Sequence, residues 1–253
     1  MITTTKGVPY IFYSIITAAV LLISPVGCEY AQTTTGPKVT REEIARQSEA
    51  IEARRQQYQR GTLQHPYAGM NISQQEAVVN AVGNKILKAS GGDMNIKFSV
   101  HKSEDVNAAA SPGQIMVTTG MMRFVQSEDE LAAVVGHEIA HLEKGHVTKT
   151  MIANAPIMIG SVLAEQISPG SGQIIQMGGS IFALKFSRDM EREADYYGIL
   201  NSHKAGYDAS AGINVWERFA LELPQSQQAG IFSSHPSSTE RIVRARKIAD
   251  GLK

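Results

Sequence analysis

Three patterns of hydrophobic and polar positions follow one another along this chain, and each predicts a different kind of element. Between Tyr10 and Val26 there is no period at all: YIFYSIITAAVLLISPV is almost wholly apolar, behind a single charge at Lys6. A positive residue followed by an apolar run reads as an export signal over residues 1–27, with an uncleaved membrane anchor as the other option. Residues 28–38 read as a tether, small and polar through AQTTTGPK. From Thr40 to Arg60 the chain is polar with few apolar positions, so residues 39–60 are expected to form an exposed helix. Gly61–Met70 is a loop by its glycine and proline content.

A helical period then begins. Ser73-Gln74-Gln75-Glu76 matches a capping box, with Ser73 at the N-cap and Glu76 reaching back to it. Ala77, Val78, Ala81, Val82, Ile86 and Leu87 keep the helical spacing to about Lys88, and Ser90-Gly91-Gly92-Asp93 breaks it. Next the period drops to two. Asn95–His101, Val106–Ala110 and Gln114–Thr119 are short strand-like pieces, the last two separated by the turn Ser111-Pro112-Gly113. Ser127-Glu128-Asp129-Glu130 opens a second capped helix through Leu131, Val134, Val135 and Ile139, ending near Gly145 at the C′ position. Ala153–Phe186 is weakly polar and interrupted by Ser168-Pro169-Gly170-Ser171-Gly172, which suits buried or half-buried helices better than membrane spans. Helical pattern resumes over Ser187–His203 and Ala209–Glu222, and a loop carrying Ser234-His235-Pro236 leads to a terminal helix from about Ser238 to Leu252. The expected class is α+β and mainly helical.

Composition narrows the function more than the fold. The 253 residues carry 24 positive and 24 negative side chains, which gives no electrostatic case for nucleic acid. The only cysteine, Cys28, follows the apolar run in Pro25-Val26-Gly27-Cys28, so no disulfide can form within one chain. This context looks like a bacterial lipobox, with Gly before Cys as is typical and Pro25 where Leu is usual. The expected location is periplasmic, with the chain attached to the outer membrane by a lipid anchor.

The candidate chemistry lies in the second capped helix, where residues 136–146 read GHEIAHLEKGH and hold three of the seven histidines. His137 and His141 are four apart, an advance of about 400°, so both imidazoles share one face a turn apart and can grip one ion. Imidazole suits zinc. Glu138, one step round, can hold a water and take its proton as it attacks a peptide carbonyl, then pass that proton to the leaving amine. A third ligand must follow. The metzincin spacing needs Gly at 144 and His at 147, where this chain has Lys144 and Val147. His146 is one residue short and is expected to cap the helix C-terminus, meeting the negative end of its dipole. Glu191, in Ser187-Arg188-Asp189-Met190-Glu191-Arg192-Glu193-Ala194-Asp195, can supply the ligand from a second helix. Asp195, on the same face, can accept a hydrogen bond from the far nitrogen of a ligand histidine, and Glu193 is turned away. An ordinary charged helix, with Arg188 and Arg192 pairing Glu191 and Asp195, is the other reading of this segment alone.

Four separated pieces then resemble the M48 zinc metallopeptidases: Asn107-Ala108 with Pro112-Gly113 and Ile115-Met116-Val117 before Gly120; GHEIAH; SRDMEREAD; and Ser234-His235-Pro236 with Arg241-Ile242. They keep the family's order over about residues 70–250. The resemblance implies a zincin-like domain over 61–253, with a small mixed sheet and an active-site helix, that cleaves polypeptides with one zinc per chain. It implies Glu191 as third ligand and Asp195 as its supporting carboxylate. It also implies that Gln114–Thr119, through Gln114, Ile115, Met116 and Val117, is an edge strand on which substrate lies extended. His235 would stabilise the oxyanion or occupy the open zinc position, with Tyr196 and Tyr197 as further oxyanion candidates. Ala109 and Gln114 depart from the aromatic residue and the Gly common in the family. The transmembrane helices of its membrane-embedded members have no counterpart here, which suits a soluble periplasmic member. A chaperone-like or adaptor protein with a structural metal site is the rival reading, and the presence of Glu138 speaks against it.

Overall fold

The computed structural model describes residues 35–57, 66–155, 185–223, 235 and 239–253. The apolar run Tyr10–Val26, Cys28, most of the tether, residues 58–60 and residues 156–184 of the weakly polar stretch lie outside the described residues, as do Ser234 and Pro236. Among the described residues no helix is long and apolar enough to cross a membrane. The elements are helices α1 (Arg41–Gln57) and α2 (Ile72–Ser90), strands β1 (Lys97–His101), β2 (Ala108–Ser111) and β3 (Gln114–Thr118), and helices α3 (Thr119–Phe124), α4 (Glu128–Glu143), α5 (Arg188–Lys204), α6 (Ala211–Glu222) and α7 (Thr239–Asp250). Residues 146–155 are also helical. The α+β, mainly helical class holds.

Helix α1 is less exposed than its polar sequence suggests. Ile51 and Gln47 are buried where it packs on α6 and α7, Gln47 Nε2 donates to Glu217 Oε1 at 3.2 Å, and Arg54 pairs with the same carboxylate. The cap of helix α2 lies two residues before the expected one. Asn71 Oδ1 accepts from Gln74 N at 3.0 Å and Gln74 Oε1 accepts from Asn71 N at 2.9 Å, a complete capping box two residues earlier than the one at Ser73. Glu76 is thereby freed to accept from Val100 N at 3.1 Å, tying α2 to β1. At α4 the Ser127 hydroxyl accepts from Glu130 N as expected, but Glu130 reaches one residue further back, to Gln126 N.

The sheet has the order β1-β3-β2. β3 pairs parallel with β1 and antiparallel with β2, so the strand expected at the edge is the central one. Both of its hydrogen-bonding sides are taken, and Gln114, Ile115, Met116 and Val117 have no free main-chain edge to offer a substrate. The edge strands are β1, which packs on α2, and β2, which packs on α4. Ile115 and Val117 point into the core with Phe98 and Ile86.

Helices α4 and α5 cross at unusually close range, and the reason is a pair of glycines. A Cβ on Gly136 would meet Ser202 Oγ at 2.4 Å, and one on Gly198 would meet the His137 backbone at 2.9 Å. Ser202 Oγ also donates to the Ala132 carbonyl at 3.0 Å, fixing the register of the crossing. Because Gly198 lies two turns beyond Glu191 on one face, the contact aims Glu191 at the residues that follow Gly136.

Candidate metal centre

On α4, His137 and His141 are wholly buried and face α5, which presents Glu191 and Asp195. His235 joins them. His137 Nε2 lies 3.0 Å from His141 Nε2 and 3.2 Å from His235 Nδ1. Glu191 Oε1 lies 2.9 Å from His235 Nδ1 and 3.4 Å from His141 Nε2. Four ligand atoms thus surround one point, one from each residue, all within 4.8 Å of one another.

The remaining nitrogens of the two helix histidines are already engaged. His137 Nδ1 meets Asp195 Oδ1 at 3.0 Å, and His141 Nδ1 meets His146 Nδ1 at 3.1 Å. When the outward nitrogens carry the protons, each Nε2 turns a lone pair inward, which is the form in which the two rings can hold one cation. A tetrahedral zinc with bonds of about 2.0–2.2 Å sets its ligands about 3.4 Å apart, close to the spacings here. Glu191 Oε2, His235 Nε2 and both oxygens of Glu138 are buried and make no well-aligned hydrogen bond among the described residues, though Glu191 Oε2 has the Arg241 guanidinium 2.9 Å away. Zinc fits.

Charge inside the site is balanced by Arg241 from α7. Its guanidinium donates to both Asp195 oxygens at 2.7 and 2.8 Å, stands 2.9 Å from Glu191 Oε2, and lies over the Trp216 ring at 4.2 Å. Burial pushes the Asp195 carboxyl up, but Arg241 and the hydrogen bonds more than offset this and hold it below the usual carboxylate range. Glu191 is likewise pushed up by burial and then drawn well below that range by His235, Arg241 and the two helix histidines. Burial drives His141 down, well below an ordinary imidazole, and drives His146 down as well. It acts the same way on His137, where hydrogen bonds to Asp195 and Glu191 outweigh it and raise the pKa to about 9.

The structure brings together His137, Glu138, His141, Glu191, Asp195 and His235. Glu138 is fully buried, and its Oε1 lies 3.3 Å from His235 Nε2. His146 does not cap α4. Gly145, at the expected C′ position with φ 67°, turns the chain so that the His146 ring comes back beneath His141. Its nitrogens are taken by His141 and, at 3.1 Å, by Glu193 Oε2, leaving none for the helix carbonyls. Arg192 pairs with Asp189 and Glu240 rather than with Glu191 or Asp195, so α5 is not the plain charged helix of the other reading. Tyr197 lies under the Lys144 ammonium, and the Tyr196 ring packs edge-on against that of Tyr197. Sequence reasoning missed the roles of Arg241, His146 and Glu193. The one signal for Arg241 was that two carboxylates placed on one buried helix face need a cation.

A buried pair of histidines one turn apart on a helix, a carboxylate from a second helix and an adjacent buried glutamate define a zinc-dependent endopeptidase of the zincin class. Residues 73–249 match the model of Peptidase family M48. The chain is 33% identical to metalloprotease LoiP of Escherichia coli over 184 residues, 70% of each protein. It is 33% identical over 181 residues to the mitochondrial metalloendopeptidase OMA1 of Schizosaccharomyces pombe, covering 69% of this chain and 52% of that one. It is also 31% identical over 186 residues to a putative beta-barrel assembly-enhancing protease of Vibrio cholerae, covering 68% of this chain and 38% of that protein. The chain belongs to peptidase family M48 and is a zinc metalloendopeptidase acting on polypeptides.

Proposed function

We propose that this enzyme cleaves misfolded or envelope proteins outside the cytoplasm, with His137, His141 and Glu191 holding the zinc and Glu138 as general base. The observation that carries the assignment is the convergence of four buried ligand atoms beside a buried carboxylate, Glu138, that makes no well-aligned hydrogen bond among the described residues. Zinc in such a site polarises a carbonyl and makes water nucleophilic at neutral pH. Glu138 takes the proton of the attacking water and returns it to the leaving amine. Asp195 holds the His137 ring by its Nδ1–H, keeping Nε2 free as a ligand. His235, whose Nδ1 lies among the ligand atoms, would be a further residue able to hold the zinc, and its ring could donate toward the developing oxyanion. Substrate lies along β2, the edge strand on α4, because β2 has a strand partner on only one side among the described residues.

An envelope substrate is supported by the name of the Vibrio cholerae relative, which refers to β-barrel assembly. Attachment to the membrane through lipid on Cys28 is supported by its position after the apolar run. Two measurements test the enzyme. Zinc content and casein cleavage are compared for the parent chain and Glu138→Gln, which is expected to keep one zinc and lose about 10²–10⁴-fold in kcat. One equivalent of zinc with no cleavage of any unfolded substrate by the parent chain would favour the chaperone-like reading. Zinc retained at full affinity after Glu191→Ala would remove the third ligand. Incorporation of a fatty-acid analogue in cells, compared with Cys28→Ala, tests the anchor.

A further inference from the structure

His146 and Glu193 are not used in the chemistry above, yet together they link the metal centre to the surface. His146 Nδ1 stands 3.1 Å from His141 Nδ1, and His146 Nε2 stands 3.1 Å from Glu193 Oε2. The His146 side chain is 1% exposed and that of Glu193 is 31% exposed, so the chain runs from the buried ligand to the solvent edge. Its two ends dictate its polarity. His141 offers Nε2 to the cluster, so its proton sits on Nδ1 and is donated to His146. His146 must then accept at Nδ1 and carry its own proton on Nε2, where the Glu193 carboxylate accepts it. One proton fills each junction, and no other tautomer of His146 satisfies both.

The geometry points to Glu193–His146 as a positioning relay that holds His141 in its zinc-binding tautomer and orientation, as Asp195 holds His137. This rests on the zinc-peptidase reading for the metal end of the chain. The relay explains why a histidine just past the end of α4 is buried rather than solvated. It also explains why Glu193, on the other side of α5 from Glu191, still bears on the site. Neutral imidazole transmits less charge than a carboxylate in direct contact, so the Glu193 end acts through the ring it orients.

Zinc affinity, measured by competition with a chromophoric chelator, tests the relay without recourse to activity. His146→Phe keeps the ring and removes both nitrogens, and is expected to weaken zinc binding about 10–100-fold, the usual cost of losing a hydrogen-bond partner behind a ligand. Glu193→Ala, at a half-exposed position, is expected to cost less than about 10-fold. The two act through one chain, so the double variant should bind zinc no more weakly than His146→Phe alone. His146→Gln, which keeps an acceptor and a donor, should recover part of the loss. Nitrogen-15 NMR of the zinc-loaded parent is expected to show His141 protonated on Nδ1 and His146 on Nε2. Unchanged affinity in both single variants, additive losses in the double variant, or the opposite His146 tautomer would overturn the relay. In the same titrations, one equivalent bound by the parent chain upholds the zinc reading whatever the variants do.

Discussion

The two zinc-facing histidines of α4 are neighbours on one helix turn, yet the protein supports them in opposite ways. Behind His137 stands a full charge: Asp195, wholly buried and gripped by two hydrogen bonds from Arg241. Behind His141 stands a neutral ring, His146, and the charge comes one step later at Glu193, near solvent. The first arrangement places an ion pair inside the protein, where breaking it exposes an uncompensated charge. The second keeps its carboxylate where water already solvates it, so its loss costs little stability. One side of the site is therefore tied to the fold, while the other can be altered with the fold intact.

That contrast can be broken most forcefully at Arg241. Arg241→Met leaves Asp195 and Glu191 buried without their cation, and the metal-free protein is expected to lose about 3–5 kcal/mol in urea unfolding. A loss under about 1 kcal/mol would show that the His137 side is no more tied to the fold than the other. Next in size is Asp195→Asn, expected to weaken zinc binding about 10–100-fold by the same chelator competition, because the amide can present the wrong group to His137 Nδ1.

Acid sharpens the comparison on the His137 side. Asp195 and Glu191 are held below the ordinary carboxylate range in the fold, so the folded state binds fewer protons than the unfolded chain. The stability they contribute is complete above about pH 4.3 and is lost as pH falls through the unfolded values toward the folded ones. The difference in unfolding midpoint between the metal-free parent and Arg241→Met should therefore narrow from pH 7 to pH 3. A difference independent of pH would deny the two carboxylates this role. The smallest expected effect is on the other side: Glu193→Ala should change the unfolding free energy by less than about 1 kcal/mol, even as it loosens zinc.

Local patterns were legible where the cause is local. The spacing of His137 and His141 follows from the 3.6-residue turn, and a turn does separate β2 from β3, though it is Pro112-Gly113 alone, with Ser111 ending β2. Capping was legible in kind but not in place. Asn71 and Ser73 both head a residue able to reach back; the structure uses the earlier pair, and Glu76 accepts from the β1 backbone instead. His146 was misjudged because sequence distance from the helix end suggested a cap, while the αL turn at Gly145 returns its ring beneath His141.

By itself, then, the sequence determined which residues can share a helix face, where helices begin and break, and that two histidines and a glutamate form a motif suited to a metal. Tertiary structure alone decided the rest. It made β3 central rather than edge, because strand order depends on long-range pairing that no local period encodes. It drew Glu191 to the histidines through the Gly136–Gly198 crossing, brought Arg241 in from the last helix to balance the buried carboxylates, and turned His146 from a cap into a support. Each of these depends on burial and on partners far apart in the chain, and only packing brings such partners within reach.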